Sequence, residues 1–118
     1  MEISDRISEE GVVIIDIRDE RIEYPKTQLL KNHVTQRIEE GHPYIILNLS
    51  EVSTLDSFGI AAFISILKLC KSQNGHLAMF GLNENVNQLI ELTHMDRVLD
   101  IWETETQAIH QIHASASR

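Results

Sequence analysis

The chain has 118 residues, with 10 Lys and Arg against 18 Asp and Glu, a formal charge of −8 with histidine neutral. That length fits one domain, residues 1–118, with a core of its own, and a composition of 42% hydrophobic and 24% charged residues excludes a disordered chain. The surplus of acid opposes general affinity for nucleic acid or an anionic membrane, and the lone Cys70 excludes an internal disulfide and points to a reducing cytoplasm.

The longest nearly apolar stretch, Gly59 to Cys70, is broken by Ser65 and Lys68 and falls short of the ~20 residues of a membrane span. The opening Met1-Glu2-Ile3-Ser4-Asp5 is acidic where a secretory signal is basic, so no export is expected.

Glu2 to Ile7 alternates weakly, and the β-branched run Gly11 to Ile17 follows, which predicts an N-terminal hairpin turning near Glu9-Glu10-Gly11. Pro25 suits a first helical position, and Leu29, Leu30, Val34 and Ile38 recur at helical spacing until Gly41 and Pro43, giving a helix over about 25 to 40. Tyr44 to Leu49 is almost continuously apolar, the pattern of a strand covered on both faces. Ile60, Phe63, Ile64, Leu67 and Cys70 mark a second helix over Ser57 to Ser72, stopped by Asn74-Gly75.

A short strand follows at His76 to Phe80. Asn83 caps a helix with Val86, Leu89 and Ile90 inward, and Arg97 to Trp102 reads as an edge strand. Thr104 with Gln107 has capping-box spacing ahead of Ala108, Ile109 and Ile112. The order β-β-α-β-α-β-α-β-α predicts an α/β fold with a mixed sheet covered by about four helices, and His113 to Arg118 loses periodicity as a frayed tail.

The stretch from Asn48 to Ile60 carries most of the functional information. A buried strand runs into a short polar loop, and Asp56-Ser57 then opens a long helix, placing a hydroxyl where free backbone N–H groups and the positive helix end meet. Two readings stand: a helix cap worth about 1 kcal/mol, or a place where phosphate is favoured. Phe58 points away from the apolar stripe, on the side of Ala61, Ser65, Lys68 and Ser72, as an outward aromatic beside the serine.

Asp56-Ser57-Phe58-Gly59-Ile60, after an Asn48-Leu49 strand end and before a long apolar helix, resembles the D-S-x-G-[LI] signature of STAS domains, specifically of bacterial anti-sigma factor antagonists. The resemblance extends through the strand pair, the first helix, Gly75 to Phe80, and the segment from Asn83 through Leu92 that precedes Met95. It implies that Ser57 is phosphorylated by a serine kinase that is also an anti-sigma factor, and that a PP2C-like phosphatase removes the phosphate. It further implies a non-catalytic protein without cofactor or metal, whose partner-facing end comprises Asp56, Phe58, Gly59, Ala61, Glu23 and Tyr24. The alternative is a STAS scaffold or regulatory module of another pathway, such as secretion or biofilm formation. Two departures stand out: Asp19 to Pro25 lacks the glycine usual in that loop, with Glu23 where an aspartate is common, and Phe58 is large where a small residue is common.

Other chemistries find less support. His110 and His113 at i, i+3 lack a nearby carboxylate or thiolate at ligand spacing, which favours a solvated helix surface. Asp16, Asp19, Glu20 and Glu23 read as a solvated loop rather than an acid/base pair, because no nucleophile accompanies them. The chain has no G-x-S-x-G elbow and no P-loop. A receiver domain needs an aspartate where Asn48 ends its strand. Lys26, Lys31, Lys68 and Lys71 make no stripe with interleaved aromatics.

Overall fold

The computed structural model describes residues 1–116. Strands β1 (Ile3–Ile7) and β2 (Val13–Ile17) form the expected hairpin, closed where the Ser8 amide donates to the Val12 carbonyl and Gly11 turns at φ +83°. The chain then passes through β3 (Arg21–Ile22), α1 (Lys26–Glu39), β4 (Tyr44–Asn48), β5 (Thr54–Leu55), α2 (Ser57–Ser72), β6 (His76–Phe80), α3 (Glu84–Leu92), a 3-10 turn at Met95–Arg97, β7 (Asp100–Trp102) and α4 (Glu105–Ala116).

The main sheet has the order β1-β2-β4-β6-β7. The β1/β2 pair is antiparallel and the other three pairs are parallel, so the sheet is mixed, as expected. Strand β4 is central, and Ile45, Ile46 and Leu47 are all inaccessible, which accounts for its unbroken apolar sequence.

Two cores lie on opposite faces of this sheet. Val13, Ile15, Ile45, Leu47, Leu77 and Met79 point to the side covered by α1, α2 and α3, where they meet Leu30, Val34, Phe63, Ile66 and Ile90. The alternate residues Val12, Ile14, Ile46, Ala78 and Phe80 point to α4 and meet Ala108 and Ile112. Period-two strand geometry thus separates a large core from a smaller one under a single helix.

The helix signals hold with adjustments. The Asn83 side chain accepts from the Val86 amide, and Thr104 and Gln107 exchange the two bonds of a capping box. Gly41, at φ +95°, ends α1. Pro25 is not the first helical residue: it is the N-cap, at φ −93°, ψ 6°, and α1 begins at Lys26. Arg97 is not in a strand either. The amides of Val98 and Leu99 both donate to the Met95 carbonyl, which winds 95–97 into a 3-10 turn and delays β7 to Asp100.

α4 continues through Ala116, because backbone hydrogen bonds carry a helix past the loss of side-chain periodicity; positions 117 and 118 lie outside the described residues. Among the described residues, no helix is long and apolar enough to cross a membrane.

Candidate functional site

The loop after β2 and the loop before α2 are stitched into one unit. Their two-residue strands pair in parallel, Arg21 with Thr54 and Ile22 with Leu55. The Glu20 carbonyl accepts from the amides of Ser53 at 2.7 Å and Thr54 at 3.0 Å, and the Ile22 carbonyl accepts from the Asp56 amide at 3.3 Å. Strands this short carry no alternating pattern, so nothing in the sequence marked β3 or β5 as strand.

Asp56 joins this unit to the helix. Its Oδ1 accepts from the Gly59 amide at 2.9 Å, the bond of an N-cap, while Oδ2 accepts from the Tyr24 amide at 3.2 Å. The helix cap anticipated from the sequence is therefore present, and the same carboxylate also tethers the neighbouring loop. Gly59 is buried between these pieces: a Cβ there would stand 2.8 Å from the Ile22 carbonyl oxygen and 3.1 Å from the Leu55 Cβ.

Ser57 is the first residue of α2 and is exposed, with the orphan amides of the helix start around it. Phe58 faces outward with 55% of its surface exposed, and Tyr24 is 66% exposed. The two rings tilt against each other with centroids 5.2 Å apart. Ala61 is also exposed one turn further on, and Glu23 is half-buried. The structure thus brings Tyr24, Asp56, Ser57, Phe58 and Gly59 together at one end of the sheet.

The acidic residues that precede this end do not act as a group. Asp16 is almost fully buried, not solvated, because it lies within β2, and Arg6 reaches across from β1 to neutralise it. Arg6 Nε donates to Asp16 Oδ2 at 2.7 Å and Nη2 to Oδ1 at 2.8 Å, and Asn48 Nδ2 donates to Oδ1 at 2.8 Å. The Arg6 bonds hold the Asp16 carboxyl below its usual range, with help from Asn48 and against the opposing effect of burial. The same guanidinium binds Glu105 at the start of α4. Asp19 instead accepts from the Arg21 amide and pairs with Lys26 at 3.0 Å, and both contacts lower its pKa.

Asn48, at the end of β4, also accepts from the amide and hydroxyl of Ser50. Cys70 is buried in the core of α2, where desolvation pushes its thiol pKa up to about 12, so it is a packing residue and a poor nucleophile. Among the described residues, no group of three or more His, Cys, Asp or Glu side chains is placed to hold a metal ion.

A five-stranded mixed sheet with three helices on one face and one on the other, carrying an exposed serine at the start of a long helix, defines a small α/β domain with a presented hydroxyl at one pole. The chain belongs to the STAS domain family, which it matches over residues 4–108. It is 30% identical over 108 residues to a Thermotoga neapolitana protein provisionally named an anti-sigma factor antagonist, spanning 91% of this chain and 94% of that one. It is 28% identical over 107 residues to the anti-sigma-B factor antagonist of Listeria monocytogenes, with coverage of 89% and 93%. A crystal structure of a Thermotoga maritima protein, again provisionally named an anti-sigma factor antagonist, superposes with a TM-score of 0.82 at 26% identity, covering 94% of each chain.

Proposed function

We propose that this chain is a cytoplasmic, non-catalytic anti-sigma factor antagonist switched by phosphorylation of Ser57. Unphosphorylated, it binds a serine kinase that is also an anti-sigma factor and thereby frees that partner's client. Phosphorylated, it lets go, and a PP2C-like phosphatase restores it. The observation that carries this reading is the exposed Ser57 hydroxyl, presented at the start of α2 and framed by the Asp56 cap and the Tyr24–Phe58 pair.

Asp56 accepts one backbone amide at each of its oxygens, which fixes the start of α2 on which Ser57 stands. A phosphate on Ser57 adds about −1.5 to −2 charge beside that carboxylate on a chain already at −8. The added charge falls on the exposed face and disturbs no core contact, so it acts on the partner by repulsion and desolvation while the fold stays intact. Asp56, Phe58, Gly59, Ala61, Glu23 and Tyr24 form the partner-facing end, with the aromatic pair as its apolar centre.

The test is binding of purified variants to the serine kinases encoded in the same genome. Ser57→Asp is expected to weaken binding by about 100-fold, since misplaced like charge at an interface costs several kcal/mol, with an unchanged melting temperature. Ser57→Ala should bind like the unphosphorylated protein. Equal affinity for Ser57→Asp and Ser57→Ala would refute the switch.

A further inference from the structure

We propose that a cavity at the pole opposite Ser57 binds a small phosphorylated molecule with a ring-sized body, an input site that goes beyond the Ser57 reading and does not depend on it. The cavity measures about 500 Å³ and opens where three parallel strands begin, because Tyr44, His76 and Asp100 are the first residues of β4, β6 and β7. Lys71 enters it from the last turn of α2 and Arg97 from the 3-10 turn, with Val98 beside it.

Charge pairing and position together mark this cavity. Arg6, Arg18, Lys26 and Arg37 are engaged by carboxylates elsewhere on the molecule. Lys71 and Arg97, like Arg21, Lys31 and Lys68, have no carboxylate partner among the described residues, and what sets these two apart is that both line the same hollow of a protein with net charge −8. A cation in the last turn of a helix is explained by the helix dipole at each position separately. The dipole does not explain why two such cations, from different elements, converge on one concavity together with His76.

The acid in the lining is already committed. Asp100 Oδ2 bonds His76 Nε2 at 3.0 Å, and Asp100 Oδ1 accepts from Trp102 Nε1 at 2.7 Å. Lys71 and Arg97 outnumber that one carboxylate in the lining, and two separate cations match a dianionic phosphate better than a monoanion. The Tyr44 hydroxyl donates to the Asn74 carbonyl at 2.9 Å, which fixes its ring as a wall, and half-exposed Val98 adds apolar surface for a ring. The overall negative charge disfavours an anionic membrane as the source of the phosphate, so the ligand is a free small molecule.

The probes are phenyl phosphate and inorganic phosphate, titrated into the intact chain and followed by amide NMR shifts. Saturable shifts are expected at Asn74 to Leu77 and at Arg97 to Asp100, with phenyl phosphate the tighter ligand. Lys71→Ala and Arg97→Gln each remove a charged donor from an exposed position and leave the core untouched, so both variants should keep the wild-type spectrum elsewhere. Each is expected to weaken binding about tenfold, the size of one charge-assisted hydrogen bond. Absence of saturation, shifts centred on the start of α2, or unchanged affinity in both variants would overturn the site. Equal affinity for the two probes would overturn the ring-bearing class of ligand.

Discussion

Gly59 packs against Ile22 so closely that a methyl group in place of its hydrogen would stand 2.8 Å from the Ile22 carbonyl oxygen. The start of α2 is thereby wedged against the β3/β5 pair, and the glycine of the Asp56-Ser57-Phe58-Gly59 run serves close approach rather than a special backbone angle. Gly59→Ala should lower stability by about 1–3 kcal/mol, the usual range for overpacking, even though alanine is the better helix former by about 1 kcal/mol. Urea denaturation measures this directly. A variant as stable as the parent would show that the β3 loop yields at no cost.

Asp56 separates two jobs that substitutions can pull apart. Asn at this position still offers a carbonyl oxygen to the Gly59 amide, but its NH2 group would face the Tyr24 amide, donor against donor. Asp56→Asn should therefore hold thermal stability to within about 0.5 kcal/mol while hydrogen exchange at the Tyr24 amide accelerates, because asparagine caps nearly as well as aspartate. Asp56→Ala loses both bonds and should cost about 1–2 kcal/mol. Matching exchange rates in the parent and Asp56→Asn would remove the tether from the account.

Tyr24 and Phe58 are large, exposed and in contact, a combination that does little for the fold and much for a docking surface. Tyr24→Ala and Phe58→Ala should each change stability by less than about 1 kcal/mol, the scale of one aromatic pair. Each should weaken partner binding by about 2 kcal/mol, the threshold of an interface hot spot. Calorimetry of the fold and of the complex separates the two effects. A large loss of stability with intact binding would make the pair structural.

The Arg6–Asp16 pair gives the fold a defined acid sensitivity. The folded-state pKa of Asp16 lies below its unfolded value, so its contribution is complete above that unfolded value, about 4, and is lost as pH falls through the folded one. Asp16→Asn should cost about 1–2 kcal/mol at pH 7, the range for a charged hydrogen bond to an arginine left half exposed. The gap between parent and variant should shrink as pH drops below about 4. A gap that stays constant through this range would mean that Asp16 acts through shape alone.

Local pattern and long-range contact divide what the sequence revealed from what it concealed. The apolar run at β4, the helical stripe of α2 and the Thr104/Gln107 capping box are local signals, and each reappears in the structure. Ser57 and Phe58 were legible because their exposure follows from helical phase alone. The β3/β5 pair was not legible, since each strand has only two residues and exists through its partner. Asp16 misled for the same reason: nothing near it in sequence announces that Arg6 and Asn48, from two neighbouring strands, will surround it. Pro25 suits both the cap and the first helical turn, and its φ of −93° and ψ of 6° place it at the cap.

The central claim is that Ser57 is a phosphorylation switch. The most direct test is phosphosite mapping by mass spectrometry on the protein isolated from its native host under resting and stressed growth. Phosphate on Ser57 whose occupancy changes with growth condition is the expected result. A Ser57 that stays bare in every condition, while the protein is present and folded, would contradict the account and reduce Asp56-Ser57 to a helix cap.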